Sequence, residues 1–149
     1  MAISRRTAIL SAASYTRVLG ANDRIQVGLI GCGNLGMRHL RIYQKPMVDE
    51  NKIRVAAISD IYTGAKRRAQ QHIGLEDKHV HHDYHDLIVR KDLDAIFVVT
   101  PEHWHHRMTL DALRSGKDVY LEKPMAFTIA EAKEIAEETA KSGRVLDRK

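Results

Sequence analysis

The stretch Ile25-Gln-Val-Gly-Leu-Ile-Gly-Cys-Gly-Asn-Leu-Gly36 decides how the rest of this chain is read. Ile25, Val27, Leu29 and Ile30 form a short, almost wholly apolar run, the pattern of a strand buried on both faces of a parallel sheet. Gly31, Gly33 and Gly36 follow with G-x-G-x-x-G spacing, and helix-forming residues come next. The first glycine allows a tight turn, the second lets the backbone approach a pyrophosphate, and the third lets the helix pack closely on the strand. Unpaired N–H groups at the helix start, in the run Gly31-Cys32-Gly33-Asn34-Leu35-Gly36, then face the anion, helped by the helix dipole. Glycine-rich turns of this kind also serve flavin and methyl-donor proteins, so the motif alone leaves the cofactor class open.

Downstream, apolar strands and amphipathic helices alternate. A helix is expected over 34–45, ended by Pro46, with Gly36, Leu40 and Tyr43 on its buried face. A strand over 53–59 stops at Asp60, and a helix over 63–73 turns Ala65, Ala69 and Ile73 inward before Gly74. The segment 79–85 holds a short strand and the start of a short helix carrying Leu87 and Ile88. A buried strand over 93–100 is closed by Pro101, a helix follows over 103–115, and a fifth strand over 117–121 leads into Glu122-Lys123-Pro124. The last helix starts with a capping box, Thr128-Ile-Ala-Glu131. Its apolar stripe is Ala132, Ile135, Ala136, Thr139 and Ala140, and a sixth strand begins at 144–146. Such regular alternation specifies an α/β fold with a doubly wound parallel sheet.

With 149 residues, 44% hydrophobic and 29% charged, the chain has the composition of one ordinary globular domain. Part of its net charge of +5 lies at the amino end, where Arg5, Arg6, Arg17 and Arg24 face only Asp23. No basic block is interleaved with aromatic residues, which argues against a nucleic-acid partner. Cys32 is the single cysteine, excluding an internal disulfide and any multi-cysteine metal site. Residues 1–24 read as a leader ahead of the fold at 25–149. Ser4-Arg5-Arg6-Thr7 before Ala8-Ile9-Leu10 resembles a twin-arginine export signal, although Ala8 stands where such signals usually carry Phe. Export to the periplasm is the expectation, with the cytoplasm as the alternative. No run approaches the roughly 18 apolar residues of a membrane-spanning helix.

Three more features converge on the opening motif. Asp60 ends the second strand 24 residues after Gly36, near the offset of about 20 at which a carboxylate accepts the adenosine ribose hydroxyls. It would repel a 2′-phosphate, which argues for NAD over NADP; Lys66, Arg67 and Arg68 read as a solvated helix face. Thr100-Pro101-Glu102-His103-Trp104-His105 lies at the carboxyl end of the fourth strand, where doubly wound sheets bind ligands. Thr100, Pro101, His103 and Trp104 offer a flat, partly polar wall suited to a nicotinamide ring, and none of these histidines is assigned to catalysis. Glu122-Lys123-Pro124 closes the fifth strand. There Lys123 can donate to a substrate oxygen and stabilise alkoxide-like charge during hydride transfer, with Glu122 on the cofactor side.

These motifs, together with Ala112-Leu-Arg-Ser-Gly-Lys-Asp-Val-Tyr-Leu-Glu-Lys-Pro124, resemble the Gfo/Idh/MocA oxidoreductase family over residues 25 to about 146. The resemblance implies a Rossmann domain that binds NAD or NADP, with Lys123 as the substrate-contacting lysine. It also implies a second, mostly antiparallel αβ domain that supplies the substrate pocket and further catalytic groups. Since the chain ends within the sixth strand, that domain is expected to be missing and the fragment inactive by itself. The sheet face left bare would favour self-association, which puts a homo-oligomer among the expected partners. The leading expectation is an oxidoreductase acting on a sugar or polyol. The alternatives are a glycosidase-type relative that uses NAD transiently, and a non-catalytic nucleotide-binding module. His79, His81, His82 and His85 read as a solvated surface cluster, and no metal site is assigned.

Overall fold

In a computed structural model, residues 24–43, 45–50 and 52–148 are described; the expected leader, apart from Arg24, lies outside them. The opening run forms β1 (Ile25–Ile30), whose last four residues are buried. It lies inside a sheet with β2 (Ile53–Ser59), β3 (Val80–His81), β4 (Ala95–Val98), β5 (Asp118–Leu121) and β6 (Leu146–Arg148). The order is β3-β2-β1-β4-β5-β6, and every adjacent pair runs parallel. The chain therefore winds outward from β1 to one edge, returns to β4 on its other side, and winds out to the opposite edge. The expected doubly wound sheet is what the sequence builds, with its switch point between β1 and β4.

Helices cover both faces. α1 (Asn34–Arg38), entered directly from the glycine turn, the helical turn His39–Tyr43 after it, and α3 (Thr63–Ile73) pack Met37, Leu40, Ala65 and Ala69 against Leu29, Val55 and Ile58. On the other face α4 (Tyr84–Ile88), α5 (His105–Arg114) and α6 (Ile129–Ser142) bury Leu87, Ile88, Leu110, Leu113 and Ile135 against Ile30, Ile96, Val98 and Leu121. β1, β2 and β4 read as near-continuous apolar runs because both their faces are covered in this way.

Two details depart from the sequence reading. Pro46 does not end the first helix: after α1 the backbone makes a π-helical turn over His39–Tyr43, and Pro46 sits near the start of α2 (Lys45–Asp49). A proline in a helix's first turn sacrifices no hydrogen bond, because its missing N–H has no intrahelical partner there. The stripe of α6 is also narrower than its alanines suggest. Ile135 is buried, whereas Ala136 and Ala140 are exposed, because α6 rests chiefly on α5 and reaches the core along one edge. The capping box forms as read, Thr128 Oγ1 accepting from the Glu131 amide while Glu131 accepts from the Thr128 amide.

The register sets the site. Ile30 pairs with Ser59 on one side and Val98 on the other, and Val98 pairs with Leu121. The carboxyl ends of β2, β1, β4 and β5 are therefore level. The chain leaves each of these ends with a segment singled out in the sequence: Asp60, the glycine turn, Thr100-Pro101 and Glu122-Lys123-Pro124.

Candidate functional site

Above these strand ends lies a cleft of about 760 Å³, lined among others by Gly31, Gly33, Asn34, Asp60, Tyr62, Arg68, Tyr84, Thr100, Pro101, Trp104 and Met108. That volume lies within the range of small-molecule and cofactor sites. Each glycine of the turn has a separate geometric reason. Gly31 has φ +95°, and a Cβ there would lie 2.5 Å from the Val99 carbonyl oxygen. At Gly36 a Cβ would come within 2.0 Å of the Gly31 carbonyl oxygen, so the close helix–turn approach excludes any side chain. Gly33 differs: nothing lies within 4 Å of the position its Cβ would take. Gly33 lines the cleft and caps α1, so the space left by its missing side chain is open to an anion approaching the first amides of the helix. These residues fit the pyrophosphate of a dinucleotide.

Asp60 ties the turn to β2. Its Oδ2 accepts the Cys32 amide and its Oδ1 the Tyr62 amide, each at 2.7 Å. Each oxygen keeps a further lone pair for a hydroxyl donor. Cys32 is fully buried beneath the turn. Burial, then the Asp60 charge, push its thiol up to about 12 despite Lys66, so it packs as a small apolar residue rather than reacting. Arg68, an exposed residue of the helix face read as solvated, also lines this end of the cleft, while Lys66 meets His82 Nδ1 at 3.3 Å. Tyr84 forms a wall there and donates to Asp111 at 2.7 Å. Burial and the neighbouring Asp111 push its hydroxyl up to about 12, against the pull of Arg107.

At the other end Thr100, Pro101 and Trp104 form the wall that the sequence placed there. Trp104 is half-exposed, with Met108 on the same face inside the cleft. His103 is exposed, tilted against the Trp104 ring at 5.8 Å between centroids, and Leu35 faces solvent beside the turn. Lys123 is exposed just past β5, its amide donating to Glu122 Oε2 at 3.1 Å. Neither Lys123 nor Glu122 is among the residues that line the cleft. Glu122 is buried, and its Oε1 accepts from His39 Nε2 at 2.5 Å and from the Tyr120 hydroxyl at 3.4 Å. Burial raises its carboxyl, but the bonds from His39, the Lys123 amide and Tyr120 outweigh it and hold the group below its ordinary value of 4.5.

Two buried histidines were not assigned by sequence reading. His39, in the π-helical turn behind α1, is the partner of Glu122. His105 carries Nδ1 at 2.7 Å from the Pro124 carbonyl oxygen and Nε2 at 2.8 Å from that of Thr100. Carbonyl oxygens only accept, so each ring nitrogen bonds its carbonyl where that nitrogen carries the proton, which the tautomer decides. The histidine cluster at 79–85 splits up: His81 belongs to β3 and His85 to α4, where it meets Asp83 at 2.7 Å. No group of three His, Cys, Asp or Glu among the described residues is arranged to hold a metal ion. None of the described helices is long and apolar enough to cross a membrane.

A 3-2-1-4-5-6 parallel sheet with a G-x-G-x-x-G turn opening into the switch-point cleft defines a Rossmann dinucleotide-binding domain. The family model described as an oxidoreductase family with an NAD-binding Rossmann fold matches residues 25–148. The chain belongs to that family, Gfo/Idh/MocA, as its motifs indicated. It is 34% identical over 122 residues to an inositol 2-dehydrogenase of Burkholderia ambifaria, covering 82% of this chain and 35% of the relative. Among solved structures, an NAD binding oxidoreductase from Klebsiella pneumoniae superimposes with a TM-score of 0.75 at 25% identity, over 85% of this chain and 34% of that one. A 3-ketoreductase from Actinomadura kijaniata, in complex with NADP and TDP-benzene, gives 0.73 at 28% identity, over 85% and 37% of the two chains. The chain thus spans about a third of the length of the relatives it matches.

Proposed function

We propose that this chain is the cofactor-binding part of an NAD-dependent dehydrogenase that oxidises a secondary hydroxyl of a polyol or sugar. The likeness to inositol 2-dehydrogenases favours a cyclic polyol of the inositol type. One observation carries the reading: the glycine turn, Asp60 and the Thr100-Pro101-Trp104 wall line a single cleft, and Lys123 emerges from the adjoining strand end. When bound, the nicotinamide supplies or takes the hydride. The residues do the rest. The amides at the start of α1 hold the pyrophosphate, Asp60 accepts the ribose hydroxyls, and Thr100, Pro101 and Trp104 give the nicotinamide ring its wall. Lys123 donates to the substrate oxygen and lowers the cost of negative charge developing there as the hydroxyl proton passes to a general base, a group the family resemblance places in the substrate-binding domain. NAD is favoured over NADP because a carboxylate at Asp60 repels a 2′-phosphate, although Arg68 lies in the same cleft.

Trp104 is the chain's one tryptophan and lines the cleft, so its fluorescence reports on occupancy. Titration with NADH is expected to quench it, NADPH to bind about tenfold more weakly, and Asp60→Asn to weaken NADH by a similar factor. NADPH binding as tight as NADH would overturn the cofactor preference, and absence of quenching by either would overturn the site.

A further inference from the structure

Lys123 is flanked by two residues that are each held by a buried histidine, and the two histidines come from different cofactor-site elements. On one side Glu122 is pinned through Oε1 by His39, whose π-helical turn continues the helix that starts at the glycine turn. The His39 ring also packs edge-on against Tyr120 of β5, 5.4 Å between centroids. On the other side the Pro124 carbonyl is held by His105, whose second nitrogen reaches the carbonyl of Thr100 in the cleft wall. Both histidines are 1% exposed, so water does not compete for these bonds and each releases its partner only at the cost of a buried unpaired group.

We propose that His39 and His105 form a clamp that fixes the backbone at Lys123 relative to the two walls of the cofactor cleft. They are positioning residues: neither lines the cleft, and each acts by holding the residue before or after the lysine. The pairs span 83 and 19 residues of sequence, so each joins segments that chain connectivity leaves independent. An exposed loop at a strand end frays readily on its own. A lysine that must meet a substrate oxygen at hydrogen-bond distance gains from having that freedom removed in advance. The value of the clamp to the reaction rests on the proposed role of Lys123, whereas the clamp itself rests only on these contacts.

Amide hydrogen exchange on the ¹⁵N-labelled chain, without cofactor, tests it. Rates at Lys123 are referred to those of Val119, Tyr120 and Leu121, so that a uniform loss of stability cancels. His39→Phe keeps a ring but removes the donor, and Lys123 is expected to exchange about tenfold faster relative to β5; His39→Gln, with an amide N–H near the Nε2 position, is expected to restore protection. His105 separates the two tethers: His105→Asn keeps a donor near Nδ1 for Pro124, and His105→Gln keeps one near Nε2 for Thr100. The clamp predicts protection in His105→Asn and its loss in His105→Gln. Should His39→Phe not fold by circular dichroism, the His105 pair decides. Equal relative rates in all folded variants, or equal acceleration throughout β5, would overturn the proposal. Because no cofactor is present, these outcomes are independent of the fluorescence titration that tests the functional reading.

Discussion

At the glycine turn the protein holds its shape with backbone against backbone. Gly31 sits at φ +95° under the Val99 carbonyl, Gly36 lies against the Gly31 carbonyl, and the Gly31 amide donates to Ser59 O at 2.9 Å. At the Lys123 loop, past the adjoining strand end, order comes from side chains recruited from far along the sequence: Glu122 with His39, and Pro124 with His105. The first arrangement tolerates almost no chemistry at its glycines, and its distant contacts are to backbone, apart from the Asp60 carboxylate on the Cys32 amide. The second tolerates ordinary residues locally but fails if one remote partner is lost. A part of the site that must present amides to an anion is served by the first, and a part that must aim one amine is served by the second.

The sharpest way to break this comparison is at Gly36. A methyl group there would stand 2.0 Å from a backbone oxygen that cannot rotate away. Gly36→Ala is therefore expected to cost about 3 kcal/mol or more, a large share of a small domain's stability. Urea unfolding followed by circular dichroism should show the midpoint collapsing. A variant as stable as the parent would mean that the turn is not held by close backbone contact.

The side-chain region should give next, and with a pH signature that the turn lacks. Glu122→Ala removes the buried acceptor of His39 Nε2, and losing one partner of a buried hydrogen bond costs about 1–3 kcal/mol. Because the folded carboxyl of Glu122 lies below its ordinary 4.5, its stabilisation is fully present above that value and is lost as pH falls through the lowered folded value. Urea midpoints taken from about pH 6 down to about pH 3 should therefore drop more steeply in the parent than in Glu122→Gln, which has no proton to gain. Parallel curves would remove Glu122 from the acid response and with it the case for an ionised, multiply bonded carboxylate.

The same contrast explains what could be read from the chain alone. Gly31, Gly33 and Gly36 announce themselves because a backbone requirement at fixed spacing leaves only one residue type. The strand runs of β1, β2 and β4 do so because a sheet covered on both faces admits little polarity. His39 carries no such mark: its function depends on Glu122, 83 residues away, and spacing within one sequence does not encode that contact. Glu122 was placed on the cofactor side because it adjoins Lys123, and nothing in that neighbourhood signals its bond to His39. Pro46 and the alanines of α6 misled for a related reason. Propensity describes what a residue permits locally, while the first-turn position of Pro46 and the narrow seat of α6 on α5 were set by packing.

Gly33 gives the smallest effect on the fold and the finest test of the turn's purpose. It lies in the same turn as Gly31 and Gly36, yet its φ of −65° is ordinary and no atom crowds the place of its Cβ. Gly33→Ala is expected to change stability by less than about 1 kcal/mol, the scale of an N-cap exchange. NADH affinity, read from Trp104 quenching, should nonetheless fall about tenfold, because the methyl would occupy the space through which the pyrophosphate reaches the α1 amides. A fall in stability without a fall in affinity would make Gly33 one more packing glycine. Loss of affinity at unchanged stability would separate, within a single turn, the glycines that build the loop from the one that leaves room for its ligand.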